Sequence, residues 1–185
     1  MAEHSERALT EHLELAARVR DLLPDAEHVA RTLIEAYERG GRVYTFGNGG
    51  SSADAAHFAE ELVGRYKRER RPLAAQSLSI DASALTCIAN DYSYDEVFER
   101  QVRGFVREHD MVIGFSTSGR SPNVVRGLAA ARELGATTVL FTGGNGGEAE
   151  LVLAVPSTST ARIQEMHVLL LHVILEEVDR WAAGS

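Results

Sequence analysis

Residues 42–52 read RVYTFGNGGSS, and this stretch decides the fold. Arg42 to Phe46 is a short run rich in apolar, aromatic and β-branched residues, a strand by composition and length. Gly47-Asn48-Gly49-Gly50-Ser51-Ser52 follows, and from about Ser52 to Val63 the pattern is helical. Three glycines let the backbone approach a ligand closely, and the helix N-terminus offers unpaired N–H groups to an anion. The turn also has a plain reading as a tight connection with a helix cap. It lacks the spacing of the dinucleotide fingerprint, and no Gly-Lys-Ser/Thr follows to make a nucleotide triphosphate loop.

Downstream, short apolar runs continue to alternate with helical segments. Leu73 to Ile80 reads as a second strand, with helical segments around Ser83–Ala89 and Tyr94–Arg107. Met111 to Phe115 is a third strand, Pro122 to Leu134 a helix, Thr137 to Phe141 a fourth strand and Leu151 to Val155 a fifth. Arg162 to Trp181 closes the pattern as a long helix. Upstream lie two helices broken at Leu23-Pro24. Leu9, Leu13, Ala16 and Val19 recur at helical spacing in the first, and the second runs from Asp25 to Arg39 and stops at Gly40-Gly41. Strands joined through helices of ten or more residues form parallel sheets by right-handed crossovers. The expectation is an α/β fold: a doubly wound, five-stranded parallel sheet over residues 41–185, with an N-terminal helical hairpin over 1–40 in one structural unit. In such sheets ligands bind beyond the carboxyl ends of the strands, which directs attention to the loops after strands one and three.

The composition narrows the function. In 185 residues, 44% are hydrophobic and 25% charged, enough for one sizeable core. A formal net charge of -8 gives no footprint for nucleic acid or an anionic membrane surface, so an anionic ligand must be held locally. Glu3, His4, Glu6, Arg7 and Glu11 interrupt any apolar run of the kind a secretory signal needs, and the apolar stretch Val168 to Leu175 is too short to span a bilayer. A cytoplasmic location is expected. Cys87, with Leu85 and Ile88 as neighbours, reads as a small buried thiol.

The third strand runs into Ser116-Thr117-Ser118-Gly119-Arg120-Ser121-Pro122. Pro122 suits the first helical position and Ser121 the N-cap. The hydroxyls here exceed what one cap requires, and hydroxyls beside helix-terminal N–H groups make a phosphate cradle that needs no lysine. The two loops, with AND at 89–91, TGGNGG at 142–147 and ARIQEMHVLLLH at 161–172, lie in one order along nearly the whole chain. Together with FGNGGSSADAAHFAEELVGRY at 46–66 and FSTSGRSPNVV at 115–125, the chain resembles the sugar isomerase (SIS) family and, within it, the phosphoheptose isomerases that act on sedoheptulose 7-phosphate.

Residue by residue, the chemistry has two readings. His57 and Glu61 stand four apart on one helix face, either an ordinary exposed pair or a shared ligand or proton network. His172 lies in an apolar helix, either a hydrogen-bonded core residue or a group with a tuned pKa. The resemblance implies catalytic roles for Glu61 as base and His172 as acid, and a zinc site of His57, Glu61, Gln164 and His172, one ion per subunit. It implies substrate contacts from Asn48, Gly49, Gly50, Ser51, Asp91, Ser116, Thr117, Ser118, Ser121 and Gln164. It further implies a homotetramer with its sites at subunit contacts. Gln164 and His172 are eight residues apart, a rise of roughly 12 Å and a turn of about 80° on an ideal helix, so they converge on one ion either by leaning toward each other or with a second subunit contributing. Asp91 has an equally good reading as a turn or cap residue.

Two departures stand beside the resemblance. Some family members carry an acidic sugar contact just before Arg-Ile-Gln, where this chain has Ala161. The basic run Arg65 to Arg71 reads as a solvated loop before the second strand, with Arg65 a possible ligand contact. A related SIS group that associates with the bacterial replication initiator shares the Ala-Arg-Ile-Gln-Glu-Met-His segment. That group lacks counterparts of Glu61 and His172, and a sensor of phosphosugars would need only the serine loops.

Overall fold

The computed structural model describes residues 2–144 and 146–184, so Asn145 of the TGGNGG segment lies outside the described residues. Helix α1 (Ala2–Val19) passes through a 3-10 turn at Arg20–Leu22 into α2 (Leu23–Glu38). Then follow β1 (Val43–Gly47), α3 (Gly50–Val63), β2 (Ala75–Ser77) and α4 (Ala82–Asp91). After these come α5 (Glu99–Phe105), β3 (Met111–Ser116), α6 (Pro122–Glu133), β4 (Thr137–Gly143), β5 (Leu151–Val155) and α7 (Thr160–Ala182). The five strands are all parallel, in the order β2-β1-β3-β4-β5. The doubly wound expectation therefore holds, and the strand order reverses between β1 and β3.

The central strands are buried on both faces, which is why they read as unbroken apolar runs. Their side chains still alternate. Val43, Met111, Ile113, Phe115, Val139 and Phe141 join the core built with α2, α3 and α7. Tyr44, Phe46, Val112 and Leu140 join the core built with α5 and α6. Phe115 stacks on Phe141 at 4.5 Å between ring centroids, and Phe58 of α3 packs against both. Each such fully buried side chain contributes about 1.5–3 kcal/mol relative to exposure. The result is a stiff floor beneath the α3–α7 pair.

Several boundaries differ from expectation for physical reasons. The second strand is three residues long rather than eight. It is an edge strand, and the chain turns away after Ser77. Leu78 N bonds Thr45 O at 2.8 Å, while the Ser79 hydroxyl accepts from Gly47 N and donates to Gly47 O, both at 3.0 Å. The helix expected over 94–107 is a 3-10 turn at Tyr94–Glu96 followed by α5. Its end is set by Asp110, whose carboxylate accepts from Arg107 N at 2.7 Å and Arg42 N at 2.8 Å. Cys87 is exposed rather than buried, on the outer face of α4, while Leu85 and Ile88 supply the packing. The basic run is a loop exposed at Arg65, Lys67, Glu69 and Arg71, as expected, but it is tied to α7. Lys67, Arg68 and Arg70 pair with Glu176 and Asp179 of α7, and Arg70 and Asp179 are buried. Arg65 remains outside that set, with Nη1 donating to Lys67 O at 3.3 Å. Among the described residues no helix is long and apolar enough to cross a membrane.

Candidate active site

The glycine loop and the serine loop flank the point where the strand order reverses. In the glycine loop, Gly49 is the N-cap of α3, and Ser51 N and Ser52 N bond Asn48 O and Gly49 O at 3.0 Å. Gly50 lets the Gln164 amide lie close: a Cβ there would come 2.5 Å from Gln164 Nε2, and the Gln164 side chain would have to move aside. Gln164 Nε2 in turn donates to Ser51 Oγ at 3.5 Å, so the first turn of α7 sits against the first turn of α3.

Asn48 makes a reciprocal amide pair with buried Asn123 of α6. Asn48 Nδ2 donates to Asn123 Oδ1 at 2.8 Å, and Asn123 Nδ2 donates to Asn48 Oδ1 at 2.9 Å. The Tyr94 hydroxyl also donates to Asn48 Oδ1, at 2.9 Å. One Nδ2 hydrogen of Asn48 is left for a ligand. Neither Asn123 nor Tyr94 stood out in sequence. Asn123 sits inside the quoted FSTSGRSPNVV segment, and its place just after Pro122, facing the first loop, was the available signal.

In the serine loop, Ser121 occupies the N-cap position of α6 but makes no cap hydrogen bond. Its hydroxyl instead meets Ser116 Oγ at 3.1 Å, and Ser116 Oγ lies 3.5 Å from Ser118 Oγ. The hydroxyls thus gather on one another rather than on the helix end, where Pro122 has no N–H and Val124 N donates to the Asn123 side chain at 2.9 Å. Gly119 has φ +67, and a Cβ there would lie 1.8 Å from Gly146 O, so the loop can be tight only with glycine. Thr117 contributes its carbonyl, which accepts from Gly143 N at 3.1 Å. Asp91 is at the exposed end of α4, accepting from Asn90 Nδ2 at 2.8 Å and from the Cys87 thiol. Its partners are local ones, as its turn reading anticipates.

The acid/base candidates do meet. His57 Nε2 is 3.4 Å from Glu61 Oε1, and the His57 and His172 rings are edge to face at 5.1 Å. One ligand atom from each of His57, Glu61 and His172 lies within 4.8 Å of the others. Histidine nitrogens and a carboxylate oxygen are donor types that zinc takes. Tyr66 stacks on His172 with ring centroids 5.6 Å apart, which the sequence gave no reason to single out. Burial, then the charges His57 and Lys67 would set nearby, hold His172 below the usual histidine pKa, with Glu61 opposing. Gln164 stands apart from this trio. It lies by Ser51 while His172 lies by His57 and Glu61, so α3 and α7 run in the same direction and two helical turns separate Gln164 from the others.

Between those two points α3 carries Asp54, which is 8% exposed with Oδ2 unpartnered. Burial pushes its carboxyl up to about 6, with His57 opposing. His167, fully buried on α7, donates from Nε2 to Thr142 O at 3.2 Å and packs edge-on to Phe115 and Phe141. Burial lowers its pKa to about 4. Its unfolded value is near 6.5, so the unfolded chain binds more protons between pH 4 and 6.5, and stability falls as pH drops through that window. Full protonation of the unfolded state alone is worth roughly 3 kcal/mol there. We expect urea denaturation of His167→Gln to show a flatter decline from pH 6.5 to 4 than the parent. Equal slopes would deny His167 that contribution.

The comparisons agree with this arrangement. The family model described as SIS domain matches residues 10–143. The chain is 52% identical over 155 residues to a phosphoheptose isomerase of Aquifex aeolicus, covering 82% of this chain and 81% of that one. It is 45% identical over 185 residues to a phosphoheptose isomerase of Geobacter sp., covering 97% and 96%. The solved structure of the phosphoheptose isomerase from Neisseria gonorrhoeae superposes with a TM-score of 0.90 at 36% identity, over 96% of this chain and 98% of that one. With the β1/β3 switch-point loops and the His57–Glu61–His172 cluster, these matches make the chain a member of the phosphoheptose isomerase family of SIS-domain enzymes.

Proposed function

We propose that the chain converts sedoheptulose 7-phosphate to D-glycero-D-manno-heptose 7-phosphate through an enediol, with Glu61 as base and His172 as acid. The observation that carries the residue roles is the convergence of His57, Glu61 and His172 within 4.8 Å. The Glu61 carboxylate takes the proton from the carbon beside the ketose carbonyl, and the electron pair moves into the enediol. His172, as imidazolium, then returns a proton to the former carbonyl carbon while the proton of the terminal hydroxyl passes to the neighbouring oxygen, giving the aldose; solvent takes the proton from Glu61 and reprotonates His172. Acid/base work near neutral pH suits this pair.

The phosphate is anchored by Ser116, Thr117, Ser118 and Ser121 at the N-terminus of α6, with Ser51, Gly49 and Gly50 at that of α3. Two helix N-termini following the adjacent strands β1 and β3 favour an anion without a lysine. Asn48, Gln164 and Asp91 serve as sugar contacts. Anchoring the far end lets binding energy orient the reacting carbons. His57, Glu61 and His172 would hold zinc, with Gln164 as fourth ligand. When bound, zinc supplies Lewis-acid polarisation of the substrate oxygens.

The working unit is a cytoplasmic homotetramer in which two subunits build each site. Two features support sharing. Glu61 is eleven residues beyond Gly50, roughly 16 Å along α3 from the loop that would help hold the phosphate. Gln164 is likewise two turns from the trio it would complete. Leu9 and Leu13 of α1 and Leu169 of α7 stay exposed, apolar surface of the kind another copy covers.

The test is co-expression of His172→Ala with Gln164→Ala, assayed on sedoheptulose 7-phosphate with and without added zinc. Each variant alone is inactive or nearly so. If Gln164 of one subunit serves the trio of another, random mixing restores one site in four, about a quarter of the parent activity. No recovery in mixed tetramers means that each chain carries a whole site. No turnover by the parent chain under either condition would refute the substrate.

A further inference from the structure

We infer that the basic strap from Tyr66 to Arg70, through the buried Arg70–Asp179 pair, is a positioning element that sets Glu61 and His172 against each other; this rests on the reading of those two as base and acid. The Arg70 side chain is 1% exposed and that of Asp179 0%. Arg70 Nε donates to Asp179 Oδ1 at 3.1 Å. Its Nη2 donates to Glu61 O at 2.6 Å, and its Nη1 donates to Leu62 O at 3.0 Å and Arg71 O at 2.9 Å.

Glu61 and Leu62 are in the last turn of α3, whose carbonyls have no intrahelical donors. One planar guanidinium therefore closes the end of α3 at the proposed base and grips α7 in the same plane. Asp179 lies seven residues beyond His172, two turns along almost the same face. Its other oxygen, Oδ2, accepts from Arg68 N at 3.0 Å and Arg68 Nη1 at 3.3 Å. Glu176, one turn beyond His172, takes Lys67 Nζ at 2.5 Å and Arg68 Nη1 at 3.0 Å. Held at both points, the strap lays Tyr66 over the His172 imidazole, and the Lys67 ammonium lies 4.9 Å from the Tyr66 ring centroid.

A buried ion pair gains little stability over well-packed apolar side chains, because both charges lose water. What it does well is fix a geometry, and here the geometry is that of two helices carrying a proton donor and a proton acceptor. Lysine at position 70 keeps the charge but cannot present the flat fork that reaches α3 and α7 together. The strap thus acts through Glu61 and His172 without touching substrate.

The experiment compares Arg70→Lys and Asp179→Asn with Val102→Ala, a core change on the opposite face of the sheet. Measured are Tm, kcat and KM on sedoheptulose 7-phosphate, and affinity for zinc alone by chelator competition. Arg70→Lys is expected to lower kcat about ten- to a hundredfold with KM nearly unchanged, as a displacement near 1 Å does. Zinc affinity should weaken by about tenfold, as on loss of an outer-shell support. Val102→Ala should lower Tm while leaving kcat and zinc affinity alone. Asp179→Asn carries the same readouts and decides the matter if Arg70→Lys does not fold. Parent-like kcat in the strap variants, while Glu61→Gln is inactive, overturns the strap and spares the base. An active Glu61→Gln overturns the base reading itself.

Discussion

Glu61→Gln is expected to lower kcat for sedoheptulose 7-phosphate by about 10³–10⁴, the upper range for loss of a positioned general base. The amide keeps the size and one acceptor oxygen, so α3 should pack as before and assembly should persist. Glu61 is partly buried, with its side chain 17% exposed, and touches His57 at 3.4 Å. No neighbouring carboxylate is in reach of its reacting position: Asp54 lies two turns earlier on α3 and Glu60 faces away. A water cannot readily replace it, because it would have to be ordered between two imidazoles. The diagnostic measurement is exchange of the substrate's transferable hydrogen with deuterated solvent. The variant should lose exchange together with turnover, with the elution volume on gel filtration unchanged from the parent. Retained exchange would move the base elsewhere.

How much of this was legible in the sequence depends on how far apart the interacting residues lie. Strands β1, β3, β4 and β5 announced themselves, because parallel strands buried on both faces must be apolar throughout. Strand β2 was overdrawn, since its apolar run continues into Leu78 and Ile80 but Ser79 folds the chain over the end of β1. Periodicity located the hydroxyls of the serine loop and the His57–Glu61 pair, which are local patterns. It could not join His172 to them. That contact depends on α3 and α7 packing in parallel, with Gln164 beside Ser51 at one end and His172 beside His57 at the other. The resemblance supplied the pairing instead. The ties of the basic run to α7 were missed for the same reason. Its partners are 108 to 111 residues away, and nothing in a window of eight residues tells a solvated cation from one that closes a helix.

The buried groups between the loops and the trio have a common origin. Asp54 and His167 both lie on the faces where α3 and α7 press together or onto the sheet, and both are shifted toward their neutral forms by burial. An apolar pair of helices would be more stable there. The chain instead retains a carboxyl with an unpartnered oxygen close to His57, in keeping with stability yielded where a site needs polar groups.

His172→Ala is the complementary case, and its expected loss in kcat is about 10²–10⁴. Burial, then the charge of His57, with Glu61 opposing, lowers the His172 pKa, which makes its imidazolium a stronger proton donor than a free one. Removing it leaves Glu61 able to take a proton but leaves the enediol without its donor. Exchange of the substrate hydrogen should therefore outlast net isomerisation in His172→Ala, whereas Glu61→Gln loses both. The substitution also opens a ring-sized gap beneath Tyr66, against which the imidazole is stacked at 5.6 Å. Added imidazole should enter that gap and restore part of the turnover, more strongly as pH approaches the pKa of free imidazole. Parent-like turnover in His172→Ala would remove the residue from the reaction. Loss of exchange as complete as in Glu61→Gln would mean instead that the two residues act in one step, with the histidine polarising the carbonyl while the carboxylate takes the proton.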